Sequence, residues 1–259
     1  MSELYSNANF KIIQNDKNAQ IFCIEFAYSS PILCHSLVKT KILRGATIDD
    51  DYKQVIFKAY SVQMYNELED KLGIEFAANL AGFLGAQLKY MAHDNGVVFC
   101  GYNTENVIII DGTKAAFLDA DLIGEIEEDG RVMICKPFKV SEFFFSPELK
   151  RQTKLPLPIK VHYKTAYFSL GCLLLHALLG KEIFDEFYRE YLFNGYEELV
   201  GYEEMVGYEE MVGYEEMVGY EEMIIKKYLN SYALRESKLY WLISRCLVQE
   251  PEKRSILFI

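Results

Sequence analysis

The stretch GVVFCGYNTENVIIIDG, residues 96–112, sets two apolar runs around a short polar bend. Val97 to Phe99 enter the bend, Asn106 closes it, and Val107 to Ile110 leave it. The pattern reads as strand, loop, strand. Loops held between buried strands are frequent carriers of chemistry, because the strands fix them rigidly. Whether this loop works or only keeps its shape decides the reading of the whole chain.

Outward from it, the period of the apolar residues changes. Residues 10–60 alternate in the manner of strands: Phe10 to Gln14 and Ile21 to Phe26 flank the turn NDKNA, and Lys41 to Leu43 and Gln54 to Ala59 read as a second pair around DDDY. Between the two pairs, Cys34 to Lys39 reads as a short helix. From residue 62 the spacing becomes helical. Ala77, Leu80, Ala81, Leu84, Leu88 and Met91 recur on one face of a helix ending near His93. Ala115 to Leu118 reads as a short buried strand, and residues 124–165 as irregular, with prolines at 137, 147, 156 and 158. Tyr167 to Leu179 is apolar on nearly every side and too short to span a bilayer, so it reads as a buried helix. Leu239 to Val248 gives the last core helix. A β-rich beginning followed by helices implies an α+β protein.

Composition narrows the class. The chain has 259 residues, 51% of them hydrophobic, enough for a large core. Six cysteines, at 23, 34, 100, 135, 172 and 246, form no CxxC pair, and the first residues show no signal-peptide pattern. A reducing, cytoplasmic setting with free thiols is the expectation. The net charge of −11 is concentrated: residues 195–224 are five near-copies of GYEEMV holding ten of the 38 acids, and the remaining 28 acids nearly balance the 27 bases. The main body thus has no bias toward nucleic acid, and no membrane span is expected.

In their order, several of these segments resemble the protein kinase family. Gly96-Val97-Val98 is followed by FCGYNTEN where the family has the catalytic loop HRDLKPEN. Leu118 precedes Asp119-Ala120-Asp121 where the family has DFG, and Ser146-Pro147-Glu148 stands at its Pro-Glu motif. Ala166-Tyr167-Phe168-Ser169-Leu170-Gly171 is similar to its D-x-W-S-L-G helix, and Glu250-Pro251-Glu252-Lys253-Arg254 to its closing turn. Five matches in the right order are more specific than any one. The resemblance covers residues 35–259, with the hinge near Lys58 to Ser61. It implies a two-lobed fold: a reduced β-rich N-terminal lobe over 1–60 and a mainly helical C-terminal lobe over 61–259, with the acidic repeat inserted at 195–224.

It also implies what is missing. The catalytic Asp falls on Gly101, which has no side chain, and the loop Lys on Asn103, which has no charge. The phosphate-gripping Lys aligns with Glu25, of the wrong sign; Lys58 lies too close to the loop to take that role, and residues 1–20 contain no glycine for a phosphate loop. The loop Arg is Cys100 and the Asp of the buried helix is Ala166. Asn106 and Asp119 remain at the metal-binding positions, where weak or residual ATP and Mg²⁺ binding would fall, and Glu148 and Arg254 at an architectural ion pair. Each has a plainer reading. Asn106 serves as well as a brace of its own loop, and Asp119 and Asp121 as solvated turn acids. The histidines 35, 93, 162 and 176 show no partner pattern and read as structural. The leading expectation is a pseudokinase acting as a protein-binding or scaffolding module. A divergent phosphotransferase using Asp94 or Asp121 as base, and an unrelated α+β interaction protein, stand beside it.

The repeat admits two readings. One is an expanded microsatellite tolerated in a surface insertion, with helix as its local conformation. The other is a docking array, since Tyr-Glu-Glu-Met resembles motifs bound by phosphotyrosine readers and repeated copies add avidity. Removing three copies, 18 residues, should leave urea-melt stability nearly unchanged if the insertion is merely tolerated, since loop length enters only logarithmically. Loss of several kcal/mol would mean that its side chains pack on the body. As an array, it should lose capture by a phosphotyrosine reader with copy number, and only when phosphorylated.

Overall fold

A computed structural model describes residues 1–68, 72–137, 144–191, 223–230, 234 and 237–256. The fold is α+β, with a β-rich N-terminal part and helices later. Five antiparallel strands open the chain: β1 (Ser2–Ser6), β2 (Phe10–Asn15), β3 (Asn18–Phe26), β4 (Thr47–Ile48) and β5 (Gln54–Lys58), in the order β1-β2-β3-β5-β4. Alternation sends one face inward. Phe10, Ile12, Phe22, Ile24, Phe26, Val55 and Phe57 are each at most 2% exposed, and the Phe22 and Phe57 rings stack at 5.9 Å. Helix α1 (Pro31–Lys39) follows β3, with Pro31 in its first turn, and buries Leu33, Cys34 and Leu37.

Two strand assignments change. The partner of β5 is Thr47–Ile48, not Lys41 to Leu43. Residues 40–43 close the end of α1 instead: Leu43 N–H donates to Leu37 O, Lys41 adopts φ 61°, and Ile42 and Leu43 are buried as core. An apolar triplet beside a helix end is as easily a packed cap as a strand. Strand β1 was outside the sequence reading altogether, because its residues are exposed and carry almost no apolar alternation.

The later part is organised by α2 (Ile74–Lys89), whose buried residues follow the expected helical spacing. The α-helix ends at Lys89 and continues as one π-type turn, Tyr90–Asp94, before Gly96 at φ 66° turns the chain into β7 (Val97–Phe99). Strands β6 (Val62–Met64), β8 (Val107–Ile110) and β9 (Lys114–Phe117) form a three-stranded sheet, and β7 pairs with β10 (Ile123–Glu125). The two strands that flank the central loop therefore belong to different sheets. The segment read as irregular holds β11 (Arg131–Ile134), α3 (Pro147–Gln152) and β12 (Ile159–His162), with β11 and β12 paired antiparallel. Their short alternation, Val132 and Ile134 in and Val161 and Ile159 in, is diluted by the surrounding prolines and acids.

Helix α4 (Thr165–Leu179) is buried along nearly its whole length and packs against both α2 and α7 (Lys238–Cys246). Helices α5 (181–191) and α6 (223–229) lie between α4 and α7 in sequence. Glu190 ties them: its carboxylate accepts from Lys227 Nζ at 2.8 Å and from Tyr228 Oη at 2.7 Å, and Lys227 holds it below the usual carboxylate range. Glu190 and residues 227–228, on the helices before and after the repeat in sequence, are thus held together. The expectation of an exposed helical extension falls on residues 195–222, which lie outside the described residues. All six cysteines are free, and among the described residues no helix is long and apolar enough to cross a membrane.

The α4–α7 contact is the tightest test of this packing. A Cβ at Gly171 would stand 2.8 Å from Cys246 Cβ and 3.0 Å from Leu247 Cδ2. Gly171→Ala should therefore cost ~1–3 kcal/mol in urea melts through overpacking. Gly82→Ala, on the exposed side of α2 with nothing within 4 Å, should instead stabilise by up to ~1 kcal/mol.

Candidate functional site

The central loop folds around Asn106, which is 2% exposed. Its Oδ1 accepts the Asn103 N–H at 2.9 Å, and its Nδ2 donates to Gly101 O at 3.2 Å. Its backbone O accepts from Leu118 N–H at 3.0 Å, joining the loop to the end of β9. One amide thus satisfies two backbone groups across a five-residue bend, the task the plainer reading gave it. Asn103 is nearly as buried, and its Oδ1 accepts from Glu105 N–H at 2.7 Å. Below the loop, Phe99 stacks on Phe117 at 3.8 Å, and Tyr102 meets both rings edge-on and donates to Leu84 O.

Gly101 has φ outside the left-handed region, and a Cβ there would find only Ser169 Oγ within 4 Å, at 3.8 Å, so the position has room for one. Ser169 turns its hydroxyl back onto the helix, donating to Thr165 O and Ala166 O. Cys100 is 3% exposed, and burial pushes its thiol up to about 12, which keeps it protonated and inert at neutral pH.

Above the loop lies a cleft of ~630 Å³ between the β1–β2 turn, the loop, residues 119–124 and residues 133–137. Asn106 and Asp119 both line it, so the structure brings the two expected ligand positions together. Asp121 lines it too; Asp94 and Glu25 do not. Glu25 faces Gln54, whose Nε2 lies 3.4 Å from Oε1. Asp119 is 9% exposed, and its Oδ1 accepts from Asn9 Nδ2 at 2.8 Å and from Asp121 N–H at 3.1 Å. Asp121 Oδ1 accepts from Lys136 Nζ at 3.1 Å, and this bond raises the lysine above its ordinary range. Among the described residues, no group of three or more His, Cys, Asp or Glu side chains is placed to hold a metal ion. Asn9, Lys136 and the β1–β2 turn were not singled out in the sequence: a lone Asn in a polar turn carries no signal until the sheet folds it over Asp119.

The linker 59–61 is also fully engaged. Ala59 N–H donates to Gln20 O, and the N–H groups of Tyr60 and Ser61 both point to Asp111 Oδ1, at 2.6 and 3.3 Å. Asp111 itself adopts φ 53°. His93 lies 3.2 Å from Tyr167 Oη and His176 3.0 Å from Tyr65 Oη.

Glu148 and Arg254 meet in the geometry anticipated for an architectural pair. Arg254 Nη1 and Nη2 donate to the two carboxylate oxygens of Glu148 at 2.5 and 2.8 Å, a bidentate fork. Its Nε donates to Val248 O at 2.6 Å, Nη2 to Gln249 O at 2.6 Å and Nη1 to Lys164 O at 3.3 Å. The guanidinium carbon lies 5.0 Å from the centre of the Phe168 ring. The Arg254 side chain is 0% exposed and that of Glu148 15%. Glu148→Ala would leave that charge buried without its counter-ion and should cost ~3–5 kcal/mol in urea melts. Arg254→Lys should recover little, since an ammonium cannot make the fork.

Set against known proteins, the chain matches no family model and no curated protein, so its own side chains are the ground for any functional reading.

Proposed function

We propose that the chain is a two-lobed, protein kinase-like fold without phosphoryl transfer, working as a protein-binding or scaffolding module. The observation that carries the reading is the joint placement of the central loop and the Glu148–Arg254 fork. Residues of four of the motifs read in the sequence fall in two places: the loop and the Asp119–Asp121 turn line the cleft, and Glu148 and Arg254 pin α3 to the closing turn. The N-terminal lobe in this reading is the five-stranded sheet with α1, and the helical lobe is built on α2, α4 and α7.

The absence of transfer follows from what a phosphoryl-transfer site must supply: a group orienting the attacking hydroxyl, and positive charge on the phosphates. Gly101 and Asn103 supply neither, and Glu25, aligned with the phosphate-gripping Lys in the sequence, is no cation and lies outside the cleft lining, against Gln54. The engaged N–H groups of the linker leave a purine base few backbone donors there. Residual ATP binding in the cleft remains part of the proposal. The phosphotyrosine-reader partner of the repeat belongs to it as well.

The test is incubation with γ-labelled ATP and generic acceptors. No transfer above background is expected from the wild type, nor from Gly101→Asp, which fits sterically but restores one part only. Transfer by the wild type that disappears in Asp121→Asn would replace this reading with a divergent phosphotransferase, since Asp121 is the candidate base that lines the cleft.

A further inference from the structure

We infer that Asn9 latches the cleft: its side-chain amide holds the Asp119 carboxylate in place of a divalent cation, and so ties the β1–β2 turn to the cleft floor. The contact spans 110 residues of sequence and joins the N-terminal sheet to the turn after β9. It is built rather than incidental. Asn7 Oδ1 accepts from the N–H groups of both Asn9 and Phe10, at 2.8 and 2.9 Å, an Asx-type turn that fixes the Asn9 backbone. Asn9 O accepts from Ala27 N–H at 2.9 Å, anchoring the same residue to the end of β3. The side chain therefore leaves a turn held on both flanks and reaches Asp119 at 2.8 Å.

The hydrogen bonds already made compete with a metal ion for these ligand atoms. Both lone pairs of Asp119 Oδ1 are taken by N–H donors, from Asn9 and from Asp121. Asn106 spends its Oδ1 on the Asn103 N–H, and its loop depends on that bond. The neighbouring carboxylate, Asp121, already has a cation in Lys136. Among the described residues, one neutral and one charged side-chain nitrogen, of Asn9 and Lys136, thus meet the carboxylates of the Asp-Ala-Asp turn. A hydrogen bond from an amide to a carboxylate is of the stronger kind, because its acceptor is charged. The comparison with Mg²⁺ rests on the kinase-like reading; the latch rests on the hydrogen-bond geometry alone.

The test has two arms. Amide hydrogen exchange is followed over residues 5–10 and 119–124 in the wild type, Asn9→Ala and Asn9→Asp. Asn9→Ala should speed exchange in both segments by ~10-fold or more, the ratio corresponding to loss of a hydrogen bond to a charged group. Asn9→Asp should speed it further, since two carboxylates would then repel; a merely steric role for the turn would not order the variants this way. Unchanged exchange at 119–124 in both variants overturns the latch. The second arm measures Mn²⁺ binding by electron paramagnetic resonance in the wild type and Asp119→Ala. Equal binding in the two is expected, because Asp119 holds no metal. Mn²⁺ bound by the wild type and lost in Asp119→Ala overturns the claim that the amide stands in the cation's place. Failure of the kinase-like reading itself would show in the transfer assay and leave the exchange result standing.

Discussion

A guanidinium taken wholly out of water forces its surroundings to answer it. The desolvation of Arg254 is tolerable only where its donors are met by well-aligned acceptors. Here they are met from four directions: the Glu148 carboxylate at the start of α3, the Lys164 carbonyl just ahead of α4, and the Val248 and Gln249 carbonyls after α7. None of these segments can shift without stranding a buried donor. The fork also explains why α3 is held although it is only six residues long: its N-cap, Ser146, shares a hydroxyl contact with Thr165 at 2.5 Å beside it. The end of the chain thereby fixes the beginning of α4, and α4 is the helix on which α2 and α7 both pack.

A second constraint works in the same way at the other side of α2. Gln87 is 0% exposed, yet its amide is fully used, donating to Ser36 Oγ and Phe117 O and accepting from Phe117 N–H. It pairs with the last residue of β9 much as a neighbouring strand would, and it fastens α1 to α2 at the same point. Leu118, the next residue, bonds to Asn106 O. The geometry of the cleft floor is thus set by two amides, Gln87 and Asn106, each completing backbone bonds that the short strands leave open. Replacing a polar group of this kind costs more than its own bond is worth, because its partners stay buried and unpaired.

How much of this was legible follows from where the signal resides. Helices α2 and α4 were readable because their apolar residues repeat over four turns, and β2, β3 and β5 because their alternation matches a half-buried sheet. Strand β1, exposed along its length, and β11 and β12, four residues each, offer too few buried positions to set a period. In the site, Gly101, Asn103, Asn106 and Asp119 could be picked out because they sit in one short stretch or just after the next strand. Asn9, Lys136, Gln87 and Asp111 could not, since each acts through a partner distant in sequence that only the folded chain supplies. Glu148 and Arg254, 106 positions apart, were found only because a family resemblance named both ends.

The loop at residues 100–106 takes its shape from few groups. The hydrogen bonds described within the bend run through Asn106, Asn103 and the backbone, and none requires a side chain at position 101 or a charge at 103. Loss of Asn106 would leave the Asn103 N–H and the Gly101 carbonyl without these partners. The same logic extends to the cleft. Asp119 and Asp121 both line it, and two neighbouring carboxylates are costly unless each is met by a donor. Asn9 and Lys136 supply nitrogens to those carboxylates, Asn9 from the N-terminal sheet and Lys136 from beyond β11. In that arrangement the contact between the sheet and the helical part is a standing feature of the fold rather than one that a bound ligand has to complete.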